Sequence, residues 1–368
     1  MALPDGLEWD GETRQWLVRK RALAEVVLRD PHVGTLPANG VADTAHPDEV
    51  PSVSRFFNLW YLRGANHPEL APELRRVYNA GPLADFRPVL AELAAERRAR
   101  LTGSGDLVED FVAPYCLDGT FALMGFAEQD WASLTKVYHV LMFAVRSRFR
   151  GERELGERAE QAFASSLVFL RSALGRARDV PLMKVLRAPG ALPWADVALV
   201  GQLLAAGVPQ VRTGLAVACH ALLGRPEVLE MVGRGEATVE QVAEEAMRIH
   251  PPFLTIYGWT TETCDCLGVR LEPGAAIVVD VRAVNNDPAD VDGPESFCPA
   301  RGRTTTFTFG KGAHYCLGAT SARYQIAEAL GALAADPLRI DAAAMRVTDD
   351  GFSQTVSGLP YTQHHGRT

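Results

Sequence analysis

Apolar positions return every three or four residues over long stretches of this chain, and Gly and Pro clusters cut that pattern into segments. The segments predict a mainly α protein with small β-sheets. Helices are expected over 22–28, ending at Asp30-Pro31, and then over 73–101, 106–123, 130–147 and 153–177. The stretch 196–223 is apolar on nearly every side, the mark of a helix buried through the middle of a large core. A further helix over 239–250 is stopped by Pro251-Pro252. Strand-like alternation is confined to short pieces: Trp16-Leu17-Val18 near the start, and LTIYGWTT and GVRLEPGAAIVVDV after Pro252, the latter around a Pro-Gly turn. Residues 32–68 are rich in Pro, Asn, Asp and Gly and read as a long loop, a kind that carries function inside a compact domain.

Length changes this picture little: 368 residues suit one large domain spanning 1–368. A net charge of −8 argues against nucleic acid or an anionic membrane as partner. The opening MALPDGLEWDGE is acidic where a secretory signal would be basic and then apolar, and no run is expected to reach the roughly eighteen apolar residues of a membrane span. A cytoplasmic protein is expected. Only four of the basic residues are lysine while Arg, Ala and Gly abound, the bias of a GC-rich bacterial genome. Cys116, Cys219, Cys264, Cys266, Cys298 and Cys316 are too scattered for a disulfide scaffold. Cys264-x-Cys266 has no second ligand pair at zinc spacing and reads as a loop.

Chemistry concentrates near the C-terminus, in FTFGKGAHYCLGATSARYQIAEAL. Gly310, Gly312 and Gly318 let the backbone turn sharply and lie flat against something large and planar, and a helix begins just after Cys316. A thiol near a helix N-terminus is favoured as thiolate by the dipole and the free N–H groups. The alternative is a buried, unligated cysteine after a Gly-rich turn. The spacing Phe309-Gly310-x-Gly312-x-His314-x-Cys316-x-Gly318 resembles the haem-binding loop of the cytochrome P450 family. The resemblance implies the P450 fold, with haem b between a long central helix and this loop. It makes Cys316 the axial thiolate and metal ligand, places Phe309 near the sulfur and sets His314 on a haem propionate.

Glu245-Ala246-Met247-Arg248 places an acid and a base three apart on one helix face, alone a weak signal. By resemblance, Glu245, Arg248 and Arg301 of the Phe297–Arg301 segment form a structural charge network on the proximal side of the haem. Asn286-Asp287-Pro288 and the run from Trp16 to Pro31 also look like family features, so the likeness spans nearly the whole chain.

The departures are informative. Where the family's central helix carries Ala-Gly-x-acid-Thr, this chain has Ala206-Gly207-Val208-Pro209-Gln210, and both proton-handling residues are replaced. Proline removes a backbone N–H and clashes with the carbonyl of Ala205, so a local kink is expected, and Gln210 cannot transfer protons as an acid does. Fatty-acid peroxygenases of the superfamily also use proline here, preceded by a carboxylate-binding arginine. Val208 holds that position, and Arg212 does not match it. The propionate set is reduced as well: His-x-x-x-Arg becomes Ala71-x-x-x-Arg75, and Trp259 stands where a later arginine is expected. The N-terminus leaves little room for the family's first helix.

These readings imply a haem-thiolate oxidase acting on a small or carrier-bound molecule in bacterial specialised metabolism. Gly207, Pro209 and Gln210 are its expected oxygen-side residues. Ala206, Gln210, Phe253, Leu254, Ile256 and Gln354, with the turn 353–355 and the long loop, are its expected pocket. Ferredoxin with its reductase, or peroxide, is the implied source of electrons or oxidant. The competing class is a non-catalytic P450-like auxiliary that supports a partner enzyme such as a glycosyltransferase; the intact cysteine loop argues against it.

Overall fold

Residues 3–34, 49–63, 71–152, 154–186, 192–301 and 305–363 are described by a computed structural model. An antiparallel pair, β1 (Leu7–Asp10) and β2 (Gln15–Val18), leads into α1 (Arg21–Val27) and the short β3 (Val33–Gly34). The region read as a long loop contains α2 (Val53–Arg63), because Phe56, Phe57 and Leu59 bury one face despite the polar flanks. Within that region, 35–48 and 64–68 lie outside the described residues.

The single helix expected over 73–101 is three: α3 (Ala71–Val77), α4 (Ala80–Ala84) and α5 (Arg87–Ala99). The Asn79 side chain accepts the Ala80 N–H and starts a new helix, and Pro88 begins rather than continues one. Similarly, the helix expected from 106 is preceded by β4 (Ser104–Asp106) and a π-helical turn, Val108–Val112, with Pro114 opening α6 (Ala113–Leu123). Then come α7 (Trp131–Phe149), α8 (Glu157–Gly175), α9 (Pro181–Leu186) and α10 (Trp194–Leu223).

After α11 (Pro226–Gly233), a capping box between Thr238 and Gln241 begins α12 (Val239–Ile249). β5 (Thr255–Thr260), β6 (Ala276–Asp280), α13 (Val281–Asn285) and α14 (Ala319–Ala335) follow. The chain closes with β7 (Arg339–Ile340), β8 (Arg346–Asp349), β9 (Gln354–Gly358) and β10 (Pro360–Thr362). One sheet has the order β1-β2-β6-β5-β3, with β2 and β6 parallel; two small antiparallel sheets are β4-β10-β7 and β8-β9. This is the mainly α architecture with small β-sheets that the sequence pattern predicts.

The larger core surrounds α10, which packs against α2, α6, α12 and α14. A second, smaller core under the five-stranded sheet gathers Leu7, Val18, Val27, Leu271, Ile277 and Phe307. Against the expectation, α10 is long and apolar enough by composition to cross a membrane. However, 61% of its most apolar stretch is buried inside the protein, where neighbouring helices use that surface.

Candidate active site

The glycine loop is hooked at its start to α12 and α13. Asn285 accepts the Phe307 N–H through Oδ1 at 2.6 Å and donates through Nδ2 to Thr308 Oγ1 at 3.1 Å. Thr308 donates in turn to Met247 O at 3.1 Å. Gly310 and Gly312 have φ of +70° and +67°, and a Cβ on Gly312 would overlap Leu28 O of the neighbouring segment. Gly318 departs from the expected set of sharply turning glycines: its φ is −82°, and it is simply the residue before α14.

The turn brings the Cys316 N–H back to donate to Phe309 O at 2.8 Å. Its sulfur stands at the N-terminal end of α14. Burial pushes the thiol up, opposed by the Gly318 and Ala319 N–H groups and the Arg323 charge. Cys316 nonetheless keeps an exposed surface, so a thiol enclosed by protein looks onto open space. Arg75 of α3 donates to Ala313 O. His314, beside it, is held below the ordinary imidazole range by burial and then by the Arg75 charge. Neither side chain has a carboxylate partner among the described residues.

On α10, Leu203, Ala206, Gly207 and Gln210 share one face at helical spacing. In a helix otherwise largely buried, Ala206 is exposed, and a Cβ on Gly207 would meet nothing within 4 Å. Gln210 is half-buried, and its side chain finds no partner among the described residues. Val208 is buried, and Pro209 is taken into an uninterrupted helix, although it cannot donate to Ala205 O. Arg212 is committed to Glu109, Nη2 to Oε1, at 2.6 Å. At Gly214 the three helices converge: a Cβ there would lie 3.0 Å from Met247 Sδ on α12 and 3.1 Å from Ile326 Cδ1 on α14. Gly207 and Ala319 each precede this contact by two helical turns, about 10 Å.

The hairpin β8-β9 is stitched to Pro251-Pro252. Phe253 bridges Ser353, and the Phe352 ring is 5.1 Å from Phe253, 5.8 Å from Tyr257 and 6.0 Å from Phe149. Two expected pocket residues face elsewhere. Gln354 is buried with its Nε2 donating to Pro251 O at 2.8 Å, while its carbonyl accepts from Thr213 Oγ1 at 3.2 Å; its amide serves the hairpin. Ile256 packs into the second core, because alternation along β5 turns Thr255, Tyr257 and Trp259 to the other side. Leu254 is buried, its N–H donating to Phe352 O at 2.8 Å. Trp259 stacks on Tyr257 with ring centroids 6.1 Å apart.

Glu245, Arg248 and Arg301 do meet. Arg248 donates to Glu245 through Nε (2.8 Å) and Nη2 (2.9 Å), and Arg301 Nε reaches Glu245 Oε1 at 3.3 Å. The Cys298 N–H adds a fourth donor at 3.0 Å. Burial alone would raise the Glu245 carboxyl, yet these hydrogen bonds and the two guanidinium charges hold it below its usual range. Two neighbours of the thiol escaped the sequence reading. Burial, and after it the Cys316 sulfur, push the Tyr78 hydroxyl up; its only signal in the sequence is a position three residues past Arg75. Arg323 lies in the second turn of α14, with its guanidinium carbon 4.3 Å from the Phe309 ring centroid.

No protein-family model matches the chain. Curated relatives include the cytochrome P-450 monooxygenase DoxA of Streptomyces peucetius subsp. caesius, 37% identical over 99 residues, which is 27% of this chain and 24% of that protein. Nocardicin C N-oxygenase of Nocardia uniformis subsp. tsuyamanensis is 25% identical over 335 residues, 86% of this chain and 81% of that one. Among solved structures, P450BioI in complex with acyl carrier protein carrying hexadec-9Z-enoic acid matches with a TM-score of 0.76 at 18% identity, over 95% of this chain and 92% of that one. A cysteine-bearing glycine loop on a mainly helical scaffold is the arrangement a haem-thiolate protein requires. The chain is thus similar in sequence to cytochrome P450 proteins over most of its length, and it shares their fold.

The cofactor of such proteins is haem b, and Cys316 would hold its iron through the thiolate. The donor set fits. Among the described residues no group of three His, Cys, Asp or Glu side chains could hold a metal by itself, and a lone thiolate suits an iron already held by a macrocycle. Arg75 and His314, side by side and with no carboxylate partner among the described residues, suit the negatively charged propionates.

Proposed function

We propose that this protein is a cytochrome P450 monooxygenase that oxidises a small or carrier-bound organic molecule in the cytoplasm of a bacterium, as part of specialised metabolism. The observation that carries the reading is the Cys316 thiol, enclosed at the start of α14 yet looking onto open space. Haem, when bound, supplies oxidative chemistry with dioxygen or peroxide. Arg75 and His314 anchor its carboxylates, while Phe309 packs beside the sulfur. Ala206 and Gly207 provide a bare wall on α10, leaving room for substrate and oxidant. Phe253 and Leu254, with Phe352 and Tyr257, form the apolar side of the pocket.

Proton handling is the unusual part. Gln210 can hold an ordered water but releases no proton as an acid would, and Pro209 offers none. Protons then come from the substrate itself, from water held by Gln210, or from peroxide, which arrives with its own. Ferredoxin and its reductase are the electron source when dioxygen is used. The names of the relatives support the oxygenase class, and the carrier-protein complex of P450BioI supports a carrier-bound substrate as one option.

The test is the reduced carbonyl spectrum of the purified protein, followed by turnover with candidate substrates. A thiolate-type band and substrate-dependent product are expected. A colourless protein that binds a partner enzyme would instead make it a non-catalytic auxiliary.

A further inference from the structure

The geometry points to Arg323 as a positioning residue that sets how strongly Cys316 donates charge to the iron, acting across the Phe309 ring. This rests on Cys316 being the axial thiolate. The Arg323 guanidinium carbon lies 4.3 Å from the Phe309 ring centroid, well inside cation–π range. Phe309 is tied to the ligand's own backbone, since its carbonyl accepts the Cys316 N–H at 2.8 Å. Arg323 is held from two further sides. Its Nε donates to Glu244 Oε1 of α12 at 2.5 Å, and its Nη1 donates to the Tyr315 hydroxyl at 3.0 Å. Tyr315 directly precedes the ligand. A planar guanidinium laid on a ring and hydrogen-bonded at both ends has little freedom to turn away.

A cation at this place withdraws electron density from the sulfur and favours the more reduced iron, which carries one positive charge less. The Glu244 carboxylate, hydrogen-bonded to the guanidinium, opposes that field. Neutralising Arg323 and neutralising Glu244 therefore move the iron couple in opposite directions. A residue that only held the loop in shape would show no such sign rule.

The experiment uses the haem-loaded protein and its Arg323→Gln, Arg323→Lys and Glu244→Gln variants, with the ferric–ferrous midpoint potential as readout and the reduced carbonyl spectrum recorded alongside. Arg323→Gln should disfavour reduction three- to tenfold, a downward shift of about 28–59 mV for one electron. Glu244→Gln should shift the potential upward, and Arg323→Lys should restore most of the loss. Should Arg323→Gln fail to fold, the sign of the Glu244→Gln shift still decides. Shifts of the same sign in the two neutralised variants, or no shift with an intact thiolate-type spectrum, overturn the inference. A wild type lacking that spectrum refutes the ligand assignment, and this inference with it.

Discussion

Glu245→Ala removes the one carboxylate that two guanidinium groups share. Arg248 is fully buried, the Glu245 side chain is 5% exposed and that of Arg301 is 15% exposed, so water cannot replace the lost charge. The variant leaves Arg248 with neutral acceptors, Asn286 Oδ1 at 2.5 Å and Pro294 O at 2.9 Å. Breaking a buried pair from one side costs about 3–5 kcal/mol. An unfolding entropy of roughly 2.1 cal/mol/K per residue, over a chain of this length, converts 1 kcal/mol to about 1.3 °C, so the melting temperature should fall by about 4–7 °C. Glu245→Gln keeps the volume and one acceptor and should cost less, about 1.5–3 kcal/mol. The folded Glu245 is depressed below its unfolded value. Its contribution is therefore complete above roughly pH 4.3 and fades as pH falls through the folded value, where wild type and Glu245→Gln should converge. Thermal unfolding of holoprotein, followed by far-ultraviolet circular dichroism and by Soret absorbance, measures both effects. A fall below about 1 °C in Glu245→Ala with full haem content, or a Glu245→Gln deficit that persists unchanged into acid, would refute the reasoning.

Cys316→Ala should fold but show no thiolate-type carbonyl band, and an unchanged spectrum would exclude Cys316 as the ligand. Gly312→Ala forces a left-handed φ and a Cβ into Leu28 O, so about 1–3 kcal/mol of stability should be lost together with haem occupancy; equal melting and occupancy would argue against a loop this tight. Replacing Pro209 with Glu and Gln210 with Thr should raise turnover of simple, non-ionisable substrates, by up to about a hundredfold, more than that of the native one. Tight coupling on such substrates in the wild type, unchanged by the double replacement, would mean that the missing relay has no functional weight.

Much of the site was legible in the chain alone because its chemistry is local. Phe309 to Gly318 reads as a unit since the turn geometry is set by neighbouring residues: two glycines at positive φ and a helix that starts at Ala319. Glu245 and Arg248 share a face by helical spacing, and 196–223 declares its burial by composition. What lay beyond the sequence depends on contacts between distant segments. Whether 32–68 holds a helix was decided by the core that receives Phe56, and the breaks at Asn79 and Phe86 by where α3, α4 and α5 must each bury their own faces. Ile256 and Gln354 carry the right chemistry for a pocket, but strand alternation sends one into the second core and a buried backbone carbonyl takes the amide of the other. Arg323 over Phe309 and Tyr78 near Cys316 are likewise products of folding. Spacing along the chain determines which side chains share an element's face; only the packing of elements determines what that face meets.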